Sequence, residues 1–200
     1  MVINLPVYAD RVSMPRKQQI LDTAALLFAE SGFHGVSVHD IGAACGISGP
    51  ALYKHFRGKD EILAASLTQI SAVLLETGQR RCADADGPQE RLEALIGWHI
   101  DFAVGHPAFI VIQEREWTNL HAAGRSEVRR LQLAYIDLWV EAVRHLRPDL
   151  DRAEARAAVQ ATFGLLNSTP HSARISKPRM SGLLRSLALG ALLNASQNEV

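Results

Sequence analysis

The sequence predicts an all-α protein with a small N-terminal headpiece and a larger helical body. Apolar residues recur at helical spacing through most of the 200 residues, and no run of alternating β-branched residues indicates a strand. Between Ser37 and Lys59 a helix, a glycine-containing turn and a second helix follow one another. The hydrophobic content of 48% is ample for a buried core. The expected divisions are an N-terminal arm at 1–13, a helix-turn-helix domain at 14–58, a connecting helix at 59–82 and a larger helical body at 83–200.

The helix-turn-helix is predicted from its end signals. Ser37 is a candidate N-cap, and Asp40 three residues later completes a pair like a capping box. Gly46 can adopt the left-handed conformation that ends a helix. Ser48 caps the second helix, and Pro50 falls in its first turn, where its missing N–H costs nothing. The second helix would therefore enter the major groove of DNA.

The core of this headpiece follows from the apolar spacing. Ile41 and Ala44 are expected to face inward from the first helix of the motif, and Leu52 and Phe56 from the second, which is expected to run from Ser48 to Phe56. The remaining helices are expected at 15–31, closed by Gly32, and at 59–81, 88–104, 107–119, 126–147, 151–168 and 179–195, with a polar loop at 169–178.

Charge distribution favours DNA binding at one end of the molecule only. Lys+Arg and Asp+Glu number 21 each, so the formal net charge is zero, and a protein that coats nucleic acid is usually more basic. However, Lys54, His55, Arg57 and Lys59 lie in a stretch, 41–59, that has no acidic residue. The sequence thus predicts a local basic patch on a body of balanced charge.

The sequence gives little support for a secreted, membrane-bound, metal-binding or enzymatic protein. No secretory signal and no apolar run of roughly 18 residues is visible, so we expect a cytoplasmic protein that does not bind membranes. Cys45 and Cys82 form neither a disulfide framework nor a metal cluster. The sequence has no His-Glu-x-x-His, phosphate loop or nucleophile elbow, and no metal, cofactor or catalytic residue is expected. Both Met1 and Met14 are candidate starts.

The first 63 residues or so closely resemble the TetR family of bacterial one-component repressors. The resemblance is carried by Ile20-Leu21-Asp22-Thr23-Ala24, Leu27-Phe28-Ala29-Glu30-Ser31-Gly32-Phe33, Ser37-Val38-His39-Asp40-Ile41, Gly46-Ile47-Ser48 and the run from Leu52 to Leu63. It implies a homodimer that binds a palindromic DNA operator and represses transcription, with a ligand pocket in each body. Lys54 departs from the family pattern, which usually has an aromatic residue there, so the operator sequence stays open.

The resemblance also implies the residues of both sites. The DNA-binding candidates, in the recognition helix and the helix starts beside it, are Ser37, His39, Ser48, Gly49, Ala51, Tyr53, Lys54, His55 and Lys59. Of these, Lys54 can donate to guanine O6 and N7, whereas Gly49 and Ala51 offer no side-chain hydrogen bond. The ligand-binding candidates, mainly aromatic residues on body helices, are Trp98, His99, Phe102, Phe109, Gln113, Trp117, Tyr135, Trp139, Phe163 and Asn167.

An apolar cavity with few charges favours a lipophilic effector, such as an acyl-CoA or a fatty acid, over a sugar. The last two helices carry more small and leucine-type residues than one buried face needs, which favours a four-helix interface between two copies of the chain. Two alternatives to a ligand-responsive repressor stay open. One is a constitutive architectural DNA-binding protein without a ligand, and the less favoured one is an enzyme.

Overall fold

The computed structural model describes residues 15–194, and these residues form helices and connecting turns without a strand, which confirms the all-α prediction. The arm at 1–13, Met14 and the expected helix end at Ala195 lie outside the described residues. The helices are α1 Arg16–Gly35, α2 Val38–Ala44, α3 Gly49–Tyr53, α4 Lys59–Ala83, α5 Pro88–Gly105, α6 Pro107–Arg115, α7 Ala122–Leu146, α8 Arg152–Leu166, α9 Thr169–Ser172 and α10 Lys177–Leu193, with a 3-10 turn at Trp117–Asn119.

The described residues form two compact units. The headpiece unit contains residues 15–70 together with 111–128, and the body unit contains residues 71–110 together with 129–194. The boundary thus falls inside α4, in the segment expected to be the connecting helix. Residues 111–128 join the headpiece unit although the sequence suggested no link between them and the helix-turn-helix. The domain limits at 58 and 82 stay a prediction.

The capping box of α2 forms as the sequence predicts. The Ser37 hydroxyl oxygen accepts a hydrogen bond from the backbone N–H of Asp40 at 3.1 Å, and the Asp40 carboxylate accepts one from the backbone N–H of Ser37 at 2.8 Å. The Ser37 hydroxyl, together with its backbone N–H, lowers the pKa of the Asp40 carboxyl. Gly46 ends this segment with a φ of 66°, as expected for a left-handed cap.

The inward face of α2 differs in one position from the prediction. Ile41 is fully buried, but Ala44 is exposed, and Gly42 is buried instead. A methyl group at Gly42 would lie 3.0 Å from the carbonyl oxygen of Ile47, so the turn after α2 folds back against this glycine. A glycine in this place packs backbone against backbone, which an apolar side-chain pattern does not reveal.

Gly32 closes the first segment of α1, as the sequence predicts. Its φ of 72° and ψ of 160° are non-helical, yet the helix resumes and continues to Gly35. The interruption brings Phe33 into ring contact with Phe28, with centroids 5.4 Å apart. Phe33 and Val36 are both buried, so the kink at Gly32 directs two apolar side chains into the headpiece core.

Two helix ends, the end of α6 and the beginning of α7, differ from the prediction because side chains outside the usual cap residues stabilise them. The helix α7 begins at Ala122 rather than at Ser126, since the His121 imidazole accepts a hydrogen bond from the Gly124 backbone N–H at 3.0 Å. The helix α6 ends at Arg115, and the 3-10 turn follows it, where the Asn119 amide donates to the Glu116 carboxylate at 2.8 Å.

The expected loop at 169–178 contains the short helix α9. The Thr169 hydroxyl is buried and donates to the carbonyl oxygen of Ala103 in α5 at 2.7 Å, which ties the start of α9 to the body core. The next helix, α10, begins at Lys177 and packs against α5 and α8. Its start lies two residues before the expected Arg179.

Three helices of the body unit approach one another closely at Gly78 of α4. A methyl group there would lie 2.9 Å from Cε2 of Tyr135, 3.2 Å from Leu138 and 3.3 Å from Leu95. These side chains belong to α7 and α5, so three helices meet at one glycine. A hydrogen atom is the only substituent that this position accommodates without displacement of its neighbours.

We expect Gly78→Ala to destabilise the protein by about 1 kcal/mol in chemical unfolding. Overpacking against the Tyr135 ring costs about 1–3 kcal/mol of stability. The higher helix propensity of alanine offsets roughly 1 kcal/mol of that cost. Gly182→Ala in α10 is the matched control, because a methyl group there meets no atom within 4 Å. The control should be neutral or slightly stabilising, and equal effects at both glycines would contradict the close approach.

Candidate DNA-binding surface and buried aromatic site

The recognition segment presents polar side chains from a short helix. The Ser48 hydroxyl accepts a hydrogen bond from the Ala51 backbone N–H at 3.4 Å and begins α3, which ends at Tyr53 rather than at Phe56. Leu52 is fully buried and Phe56 is 3% exposed, so the expected inward face is confirmed. Tyr53 is 56% exposed and is therefore directed away from that core.

All nine DNA-binding candidates lie in the headpiece unit. Lys54 and His55 are exposed and follow the last residue of α3, so they belong to the turn and not to the helix as expected. The other candidates lie at the start of α2, in α3 and at the start of α4; they are Ser37, His39, Ser48, Gly49, Ala51, Tyr53 and Lys59. Their contacts with DNA stay a prediction.

The Lys59 side chain forms hydrogen bonds within the headpiece unit. Its ammonium donates to the carbonyl oxygens of Phe33 at 2.8 Å and Val36 at 3.1 Å, and it lies 4.4 Å from the centroid of the Phe33 ring. Two of its three N–H donors are thus occupied within the chain, which leaves one for a phosphate oxygen. The expected phosphate contact is compatible with this arrangement.

Five rings of the body unit form an aromatic cluster, with the His99 imidazole of α5 at its centre and four rings in contact with it. The imidazole stacks on Phe163 of α8 with centroids 4.7 Å apart and an interplanar angle of 5°. It also stacks on Tyr135 at 5.9 Å and meets the edges of Trp139 at 5.8 Å and Phe102 at 5.7 Å. Three helices, α5, α7 and α8, therefore contribute to one cluster of candidate ligand residues.

A single polar contact orients the imidazole of His99. Its Nε2 lies 3.1 Å from Oδ1 of Asn167, the residue that follows α8. Since that oxygen only accepts, Nε2 carries the proton and Nδ1 is a bare acceptor. Burial lowers the pKa of His99 to about 4, and the contact with Asn167 opposes that shift only in part. The imidazole is neutral at physiological pH.

The other ligand candidates are not part of this cluster. Trp98 turns toward α4, where its indole N–H donates to the Leu74 carbonyl at 3.1 Å. Phe109 is buried and pairs with the His106 ring at 6.5 Å. Gln113 and Trp117 are partly buried and belong to the headpiece unit. The role of each as a ligand contact stays a prediction.

Two residues that the sequence analysis did not select lie beside the aromatic cluster. Arg81 of α4 places its guanidinium 4.9 Å from the Trp98 ring, and its charge lowers the pKa of the Tyr135 hydroxyl, although burial raises that pKa by more. Gln132 precedes Tyr135 and Trp139 on one face of α7, at positions i, i+3 and i+7. This spacing could have identified Gln132 from the sequence, because it places a polar side chain on the same helix face as two candidate rings.

The headpiece unit contains an open cleft of about 450 Å³. Lys17 and Leu21 line it from α1, Thr68 from α4, and His121 and Gly124 from the beginning of α7. None of the ligand candidates lines this cleft.

Two further properties concern the described residues alone. Within residues 15–194 no three His, Cys, Asp or Glu side chains are grouped as a metal site. In the same range no single helix is long and apolar enough to cross a membrane, and the bent pair α5 and α6 satisfies the requirement only when both are taken together.

We expect the free energy of unfolding to fall as the pH decreases from 6.5 toward 4. The folded protein holds His99 neutral, whereas the unfolded chain takes up a proton below about pH 6.5, so acid favours unfolding, by about 3 kcal/mol for this shift. His99→Phe, which retains a ring but no titratable group, should flatten the profile measured by urea unfolding. Burial also lowers the pKa of His106 to about 4, so part of the pH dependence of stability should remain in His99→Phe. Identical profiles for parent and variant would contradict this assignment.

Two family patterns match the chain. Residues 20–66 match the family described as "Bacterial regulatory proteins, tetR family". Residues 85–171 match the family described as "Tetracyclin repressor-like, C-terminal domain". The first match contains α2, α3 and the beginning of α4, and the second contains the helices that carry His99, Tyr135 and Phe163.

Relatives agree with both matches. The transcriptional repressor KstR2 of Mycobacterium tuberculosis is 29% identical over 143 residues, which cover 68% of this chain and 72% of the repressor. A TetR-family regulator from Bordetella parapertussis has a TM-score of 0.78 at 24% identity, over 94% of this chain and 100% of that chain. FadR from Bacillus subtilis, in complex with stearoyl-CoA, has a TM-score of 0.72 at 17% identity, over 89% of this chain and 98% of that chain. These two structures show the shared fold, and the two family patterns show that the chain belongs to the TetR family of DNA-binding transcriptional regulators rather than to a family of enzymes.

Proposed function

We propose that this protein is a cytoplasmic, ligand-responsive repressor that binds a palindromic operator as a homodimer and is released by a lipophilic small molecule such as an acyl-CoA or a fatty acid. The observation that carries the proposal is the pairing of two features in one chain of this family. One is an exposed recognition segment at 48–55, and the other is a buried aromatic cluster with unpaired polar atoms.

The recognition segment supports contact with DNA. Tyr53, Lys54 and His55 are exposed and adjacent, whereas Leu52 and Phe56 anchor the segment in the core. Backbone and hydroxyl groups near helix starts suit phosphate oxygens, which position a protein on DNA without reading its sequence. Lys54 is the side chain best able to reach a base edge, since it can donate to guanine O6 and N7.

Lys54→Ala should weaken binding to the operator by about 1–3 kcal/mol and relax the base preference at one position of each half-site. Gel shifts on the DNA next to the protein's own gene, repeated with a panel of acyl-CoA thioesters and fatty acids, measure operator binding and its release together. Lys177→Ala in α10 is the control for loss of one lysine and should bind as the parent does.

The two candidate functions give different results in the same gel shifts. Unchanged operator affinity and base preference in Lys54→Ala would exclude the proposed readout. Operator binding that no compound of the panel reverses would favour the architectural alternative. Release by at least one compound supports the ligand-responsive repressor.

An exposed apolar row on α10 supports the homodimer. Leu183 is 48% exposed and Leu187 is 46% exposed, and Ala191 continues the row at the same four-residue spacing. The exposed residues Ala157 and Ala161 of α8 are small and allow close helix approach. In a dimer these helices would form an isologous four-helix interface, and two recognition segments about 34–36 Å apart would match successive major grooves.

Leu187→Asp is expected to convert the dimer to a monomer in sedimentation velocity, because it places a charge at the centre of an apolar interface. It should also weaken operator binding, since a monomer loses the second half-site. Leu133→Asp on α7 is the matched control, as Leu133 is 43% exposed but lies outside the proposed interface. Dimers that persist in Leu187→Asp, or that dissociate equally in the control, would exclude this interface.

The aromatic cluster supports a lipophilic effector. Five rings from three helices provide apolar contact area, and few polar atoms lie among them, as is typical of small-molecule sites. FadR from Bacillus subtilis binds stearoyl-CoA in a similar fold, which makes an acyl compound the first class to test. Release of DNA requires that the effector bind more tightly to a conformation with low operator affinity.

A further inference from the structure

Four side chains of the body unit carry a buried donor atom that has no hydrogen-bonding acceptor among residues 15–194. They are Arg81 at Nη2, Gln132 at Nε2, Tyr135 at its hydroxyl and Trp139 at Nε1, and we call them the donor cluster. An unsatisfied buried polar group costs about 1–3 kcal/mol, so most native proteins have few of them. Four such groups in one unit therefore require an explanation, and a bound ligand with acceptor atoms would supply one.

Two helices that approach each other, α7 and α4, contribute the donor cluster. Gln132, Tyr135 and Trp139 lie on one face of α7, and the Tyr135 and Trp139 rings have centroids 6.2 Å apart. Burial raises the pKa of the Tyr135 hydroxyl, and the nearby Trp139 indole N–H opposes that rise, but the two groups do not reach hydrogen-bond geometry. The α4 helix approaches Tyr135 at Gly78, and Arg81 follows three residues later, one turn along the same helix.

All four members of the donor cluster can donate a hydrogen bond. Arginine, indole and amide N–H groups and a phenol can all donate, whereas the nearby unpaired atom that only accepts is His99 Nδ1. A ligand that satisfies the cluster must therefore bring acceptor oxygens. An alcohol brings one oxygen with a proton of its own, but a carboxylate brings two oxygens with about four lone-pair positions.

Charge favours a carboxylate over a neutral carbonyl. The guanidinium of Arg81 lies beside Asp101, but the N–O distance is 3.7 Å, which is too long for a hydrogen bond, and the Asp101 side chain is half-exposed. The Arg81 side chain is 20% exposed, but its Nη2 atom is buried, and Asp101 satisfies that atom only in part. Hydrogen bonds between a guanidinium and a carboxylate are roughly twice as strong as neutral ones.

We propose that the donor cluster binds the carboxylate of a lipophilic carboxylic acid, with its apolar chain against the rings of Phe102 and Phe163. The proposal rests on the proposed function, since it assumes that the body takes a lipophilic effector. It names the free acid, rather than its coenzyme A thioester, as the ligand that the cluster recognises.

The test measures direct binding by calorimetry, without DNA, for saturated carboxylates from octanoate to palmitate, the matching alcohols and the matching coenzyme A thioesters. The parent protein should bind a carboxylate at least about tenfold more tightly than the alcohol of equal length. Tyr135→Phe should lose about tenfold of that affinity for the acid and almost none for the alcohol, because it removes only the hydroxyl.

The stability of the ligand-free variant separates recognition from packing. Since the Tyr135 hydroxyl has no protein partner among the described residues, Tyr135→Phe should unfold at the same temperature as the parent or higher. A lower unfolding temperature would mean that the hydroxyl has a bound partner in the free protein, such as an ordered water, and would overturn the proposal. Thr118→Val, which removes an exposed hydroxyl in the headpiece unit, should change neither affinity nor stability.

Arg81→Gln provides a second variant, which retains donors but no charge, and it should bring the affinities for acid and alcohol together. Equal affinity of the parent for acid and alcohol, preference for the thioester, or binding of no carboxylate at all would each overturn the proposal. Operator release by another compound, unaffected by Tyr135→Phe, would overturn it while the repressor function stands. Failure to bind any operator would exclude the repressor function without affecting binding measured in the absence of DNA.

Discussion

Burial keeps the imidazole of His99 neutral at physiological pH, and this neutral ring lies at the centre of the aromatic cluster of the body unit. A charged imidazole would be costly among Phe102, Tyr135, Trp139 and Phe163, so the ring is neutral and can donate from only one nitrogen. The contact with Asn167 uses that nitrogen and fixes the orientation of the ring plane. Stacking on Phe163 and Tyr135 then links α5 to α8 and α7 in a defined geometry.

The helices were predictable where their ends carry ordinary signals. Ser37, Ser48 and Asp151 all begin helices through side-chain caps, and Gly105 ends α5, in each case close to the expected position. The prediction failed where an end depends on a contact distant in sequence or on an unusual cap. The His121 cap of α7 and the tie from Thr169 to Ala103 that fixes α9 are of this kind.

The candidate site was predictable in its rings but not in its polar partners. Aromatic residues at helical spacing identified His99, Tyr135, Trp139 and Phe163, and the structure brings these together. Arg81 sits at the polar end of a long helix, where an arginine is ordinarily solvated, so composition gives no reason to place it beside a core. Only the close approach at Gly78 explains its position, and a close approach of helices is a property of the folded chain.

The contacts of Lys59 also bear on the thermodynamics of DNA recognition. A free lysine side chain samples many rotamers, and a phosphate contact would have to immobilise it at a cost of about 0.5–1.5 kcal/mol. Here the carbonyls of Phe33 and Val36 hold the ammonium in place before DNA arrives. The headpiece thus offers a cation whose ordering entropy has already been lost during folding, so association with a phosphate can be tighter for the same electrostatic attraction.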